Sequence, residues 1–131
     1  MIREILFRGK PIYEETIIGN DFYYGDLCHY ANGEVTIRQP ETGYEMAVVP
    51  ETIGQFTGIT DRNGKKIFEG DIIKTDLFGK NHFISFGKSA KWGQCFCVQS
   101  NNSIIYLTEI YAKSSDIIGD LHSNPELLDS F

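Results

Sequence analysis

The chain has 131 residues, enough for one domain or two small lobes, and at that size folding buries roughly two-thirds of the unfolded surface without help from a metal or disulfide. A formal net charge of −6 excludes a uniform electrostatic grip on phosphate. No run approaches the roughly 18 apolar residues of a membrane span, so no membrane contact is expected. Residues 1–8 are too charged for a signal peptide, which makes the cytoplasm the expected location. Cys28, Cys95 and Cys97 are then expected as reduced thiols, and no cofactor is called for.

Taken in order, residues 1–8 read as a first strand whose apolar side chains are Ile2, Ile5 and Phe7. Pro11 and Gly19-Asn20-Asp21 punctuate the next stretch. Residues 22–30 and 34–38 are two strands around Asn32-Gly33, with Val35 and Ile37 facing inward. Gln39-Pro40-Glu41-Thr42-Gly43 is a loop by composition. Residues 44–49 form a further strand that Pro50 stops, because proline cannot donate to a central ladder.

The segment 53–74 organises the rest. Asn63-Gly64 sits between two alternating runs, and Asn-Gly is a strong hairpin signal because both residues accept positive φ. Phe56, Gly58 and Thr60 share one face upstream. Downstream, Phe68, Gly70 and Ile72 oppose Ile67, Glu69, Asp71 and Ile73. The expectation is a hairpin whose second strand continues through Gly70-Asp71 into the core, with Asn63, Gly64, Gly70 and Asp71 as its structural turn residues.

Beyond it, residues 82–86 are a strand and 87–93 a lysine-bearing loop around the single tryptophan, Trp92. Residues 94–99 and 104–107 are two strands joined by Ser100-Asn101-Asn102-Ser103. Residues 116–121 are a last strand. Ser123-Asn124-Pro125-Glu126 then starts a short helical turn: a capping side chain, proline at the first helical position, an acid in the first turn. No other segment holds a 3.6-residue period over three turns. The fold class is all-β with several sheets.

Four chemistries can be weighed. Glu69 and Asp71, two apart on one strand face, would hold their carboxylates about 7 Å apart, near the spacing of an inverting glycosidase pair. The competing reading makes Asp71 an acceptor of backbone hydrogen bonds at a strand entry. Cys95 and Cys97, with His82, His122 or Cys28-His29, are four ligands in number, but paired Cys-x-x-Cys knuckles are missing and cysteines on a strand face behave as small hydrophobes. A Cys–His nucleophile pair at Cys28 or Cys95 has no local support, and no phosphate-binding loop or nucleophile elbow occurs. The segment 77–108 lacks any acid and holds Lys80, Lys88, Lys91 and His82 among six aromatics. Aromatics on a basic β-surface stack bases while lysines track the backbone, so Trp92, Lys80, Lys88, Lys91 and His82 are the candidate binding residues. The competing reading puts most of those rings in a core.

Three segments carry a resemblance. Arg3-Glu4-Ile5-Leu6-Phe7-Arg8 opens the chain, residues 50–58 and 61–73 form its centre, and Ile117-Ile118-Gly119-Asp120 with Asn124-Pro125-Glu126-Leu127-Leu128 ends it. Together they resemble the YopX family of phage and prophage proteins over the whole chain, with Gly9-Lys10-Pro11 departing from the family's usual step after the first strand. The resemblance implies an N-terminal β-sheet region over 1–52 and an SH3-like β-barrel over 53–131, in a gene carried by phage. It implies no activity and no catalytic residues. The expected function is therefore a non-enzymatic phage accessory protein acting through contacts with a phage or host protein. A homo-oligomer formed through N-terminal strands is also expected. The alternative is a weak nucleic-acid-binding module using the acid-free segment.

Overall fold

The two Asn-Gly dipeptides build the same turn. Gly33 N–H bonds the Tyr30 carbonyl at 3.0 Å while Tyr30 N–H bonds that of Glu34 at 2.9 Å. Gly64 N–H bonds the Asp61 carbonyl at 3.1 Å while Asp61 N–H bonds that of Lys65 at 2.8 Å. Gly33 and Gly64 have φ of 90° and 82°, and no other residue type among those described has a positive φ. Each loop is thus a type I turn closed by a left-handed glycine, the three-residue hairpin loop. The two-residue turn in which asparagine is also left-handed does not form.

The computed structural model describes residues 4–12, 22–76, 79–89, 93–100 and 104–128, with 87–89, 93 and 94 described by backbone alone. Two units, Met1–Phe56 and Thr57–Phe131, divide within a strand, whereas the sequence placed the boundary between residues 52 and 53. In the first unit are β1 (Phe7–Gly9), β2 (Tyr23–His29), β3 (Val35–Arg38), β4 (Glu45–Ala47), a 3₁₀ turn at Pro50–Thr52, and the start of β5 (Gly54–Thr60). They pair antiparallel in the order β4-β3-β2-β1-β5. Ile37, Val48 and Phe56 are the buried apolar residues of this unit. Arg8, also buried, lays its guanidinium over the Phe22 ring at 3.9 Å.

The second unit holds the rest of β5, then β6 (Lys66–Phe68), β7 (Asp71–Thr75), β8 (Asn81–Ser89), β9 (Gly93–Gln99), β10 (Ile104–Tyr106), α1 (Glu109–Lys113) and β11 (Ser115–Asp120). β6 neighbours β5, while the others form an antiparallel sheet in the order β10-β9-β8-β7-β11. Its core joins Ile67, Ile73, Ile84, Val98, Leu107, Tyr111 and Ala112. The all-β class holds. Among the described residues no sheet is closed, so the barrel is not confirmed, and β10 and β11 stand at the two edges of this one. The chain between those edges is taken up by α1, which buries Tyr111 and Ala112 against the core while β11 pairs with β7.

Three local expectations are corrected. The strand after Asn63-Gly64 does not run through Gly70-Asp71: it breaks at Glu69-Gly70, where Gly70 has φ 96°. Asp71 Oδ2 accepts the Phe68 N–H at 2.7 Å across that break. The loop placed at 87–93 is mostly ladder, since β8 and β9 pair out to Ser89 opposite Gly93. Helix α1 was not foreseen. Its start is fixed by Thr108, whose Oγ1 accepts the Tyr111 N–H at 3.1 Å. The terminal helical turn does form, as a 3₁₀ turn at Pro125–Leu128. There the Asn124 side chain accepts from Asp120 N–H, and Asn81 Nδ2 donates to the Leu127 carbonyl at 2.8 Å. No helix among the described residues is long and apolar enough to cross a membrane.

Candidate interaction surface

The most distinctive stretch of the sequence is occupied with structure. Asp61 is 1% exposed and its carboxylate accepts three backbone N–H groups, from Asn63 at 2.8 Å, Lys65 at 2.9 Å and Ile117 at 3.2 Å. Burial alone would raise its pKa, but the N–H groups of Lys65, Ile117 and Asn63 favour the charged form more and hold it below the usual carboxylate value. Next to it, Arg62 donates to Asp76 at 2.9 Å and to the Ser114 carbonyl at 2.7 Å, with Asp116 at 3.2 Å from Nε. Asn63 Nδ2 completes the set on Asp116 at 2.9 Å. Residues 61–63 therefore fasten the hairpin loop to β11 and its approach. Gly64 closes that loop, and Gly70 and Asp71 make the next turn.

Glu69 lies in that turn and Asp71 at the start of β7, so they do not project as a pair from one strand face. Among the described residues no three His, Cys, Asp or Glu gather as a metal site.

The candidate binding residues separate. Lys80 is exposed, and its carbonyl lies 3.1 Å from His82 Nδ1. Lys88 is a backbone position in β8 opposite Gln94. Trp92 and Lys91 lie outside the described residues. His82 is interior, 6% exposed, with Nδ1 3.4 Å from the Tyr111 hydroxyl and the two rings edge to face. Desolvation lowers the His82 pKa, more than the Lys80 carbonyl bond restores, and pushes Tyr111 up to about 12. This ring supplies core packing. Its place was legible: His82 shares strand parity with the buried Ile84.

What the structure does expose is the far edge of the same sheet. β10 is an edge strand, and its residues Ile104, Ile105 and Tyr106 are 44%, 42% and 40% exposed. Phe86 on β8, stacked edge to face on Phe96 at 5.1 Å, is 51% exposed. The register pairs Ile105 with Val98, and the Leu107 N–H bonds the Phe96 carbonyl at 2.8 Å. In an antiparallel ladder such bonded pairs alternate, so Ile105 directs its backbone groups at β9 and Ile104 directs its own away. Three consecutive exposed apolar residues on a short edge form the surface that the aromatic count of the sequence could not locate.

This chain is similar to a solved structure, that of protein EF1440 from Enterococcus faecalis, at 22% identity over 95% of this chain and 98% of that one, with a TM-score of 0.57. That likeness bears on the fold. No curated protein matches. The YopX protein family matches residues 7–129, nearly the whole chain and including the central and closing segments, so the chain belongs to that family.

Proposed function

We propose that this chain is a non-enzymatic accessory protein of phage or prophage origin that works in the cytoplasm through protein–protein contacts, made by adding a partner's extended segment to β10. The carrying observation is the β10 edge with Ile104, Ile105 and Tyr106 all exposed. An added strand takes its affinity from main-chain hydrogen bonds and its specificity from alternate side chains, and this edge offers both. Native sheets otherwise cover or charge such edges. Phage origin rests on the family, and a phage or host protein is the partner this reading names.

The test is affinity capture from cells carrying the gene, with wild type and Ile104→Pro side by side. Proline there removes an outward N–H and leaves the Ile105–Val98 pair intact. Proteins held by the wild type, lost with Ile104→Pro and indifferent to nuclease support the reading. Identical captures by the two contradict it.

The acid-free segment with exposed Lys80 supports a second reading, weak binding of single-stranded nucleic acid. Three lysine–phosphate contacts would give a salt slope of about −2 to −3 in log affinity. Trp92 fluorescence titrated with single-stranded DNA tests it: quenching that vanishes at high salt and on replacing Lys80, Lys88 and Lys91 with alanine favours nucleic acid.

A further inference from the structure

We propose that Cys95 and Cys97 form a two-thiolate site for a soft divalent cation, Zn²⁺ or Cd²⁺, whose remaining coordination positions are filled from outside this chain. The two cysteines sit two apart on β9, which puts both side chains on one face of the sheet. Their Sγ atoms lie 3.6 Å apart. Two thiolates on a tetrahedral zinc, each at about 2.3 Å, stand about 3.8 Å from one another. The pair is therefore close to chelating distance in the folded strand itself.

The backbone favours chelation over oxidation. Residues two apart on an extended strand have Cα atoms about 6.6 Å apart, at the outer limit of what a disulfide spans. A metal accepts that separation without puckering the strand. Access is also provided. Cys97 is fully buried and Cys95 half-buried, and the residue opposite Cys95 across the ladder is Gly87, which has no side chain to cover it. Cys97 has two residues opposite it, Ser85 on β8, whose hydroxyl donates to Gln99 Oε1 at 3.1 Å, and Tyr106 on β10. A cation thus meets Cys95 first and draws in Cys97. Each thiol releases its proton to solvent, two sulfur–metal bonds form, and no electron is transferred. With no cluster of three ligating side chains among the described residues, water or a bound partner completes the coordination.

The test is anaerobic titration of the reduced chain with Cd²⁺, followed by thiolate-to-cadmium charge-transfer absorbance and competed with Zn²⁺. The absorbance is expected to saturate at one ion per chain, to be reversed by Zn²⁺, to vanish in Cys95→Ser and to persist in Cys28→Ser. Cys95→Ser changes a half-buried residue by a sulfur-to-oxygen swap, and its melting curve checks that it folds. No absorbance in the folded wild type overturns the proposal, as does full absorbance in folded Cys95→Ser or its loss in folded Cys28→Ser.

Discussion

At the scale of single residues, the chain uses glycine for two unrelated reasons. Gly64 has φ 82° with open space around it, so Gly64→Val meets no clash but must hold a β-branched residue in left-handed backbone. Loss of at least about 1 kcal/mol is expected, and an unchanged melting temperature would show that the loop does not use this turn. Gly25 lies within β2, where a Cβ would come 2.2 Å from the Arg38 carbonyl oxygen.

Asp61 should be the most costly carboxylate to remove. Asp61→Ala leaves three N–H groups without their shared acceptor and is expected to cost about 3 kcal/mol in denaturant unfolding. A loss within the error of the measurement would contradict the role given to it. His82 sets a pH dependence. Its folded pKa lies below the unfolded value of 6.5, so the unfolded chain binds the proton more readily and stability falls as pH drops below about 6.5. Asp61 works in the acid range below 3.8 and leaves that window untouched. Between pH 7 and 5, His82→Gln should therefore lose less of its melting temperature than wild type. Parallel losses would place the titration elsewhere.

At the scale of elements, the alternation of the ladder makes a paired forecast for β10. Ile105→Pro removes a donor aimed at β9 and should destabilise the fold by about 3 kcal/mol, whereas Ile104→Pro should leave the melting temperature nearly unchanged. Equal effects would mean that the register is shifted by one. Much of this level could be read from the sequence. The two Asn-Gly turns, the stop at Pro50 and the strands flanking Ser100-Asn101-Asn102-Ser103 follow from local chemistry. The break at Glu69-Gly70 was legible only as the competing reading of Asp71, an acceptor of backbone hydrogen bonds at a strand entry, which the Phe68 N–H on Asp71 Oδ2 and the φ of 96° at Gly70 bear out. Helix α1 spans five residues, too few for a helical period, and its one local signal was Thr108 followed by Glu109. The grip of Asp61 on Ile117 joins residues 56 apart, which no local pattern encodes.

At the scale of the whole molecule, every strand edge poses the question of what covers it. β4 ends the strand order of the first unit's sheet; residues 10–12 cover part of that edge, Ile12 N–H bonding the Ala47 carbonyl at 3.0 Å and Val49 N–H that of Lys10 at 2.8 Å, while Tyr44 beside it is 71% exposed. A homo-oligomer through these N-terminal strands is proposed, and light scattering that returns a monomer across a wide concentration range would remove it. Neither chelator nor reductant is expected to shift the melting curve of the purified chain. Two thiolates are too few to hold a structural zinc, and a span of two residues disfavours a disulfide. A drop of several degrees with either would contradict this.

The central claim is that function resides at the β10 edge, in contact with protein. With a captured partner purified, amide hydrogen exchange of the chain alone and in complex reads the footprint directly. The account predicts that exchange at Ile104 slows on binding while amides of the first unit, such as that of Ile37, keep their rates. A footprint confined to the first unit, with β10 exchanging as in the isolated chain, would contradict it.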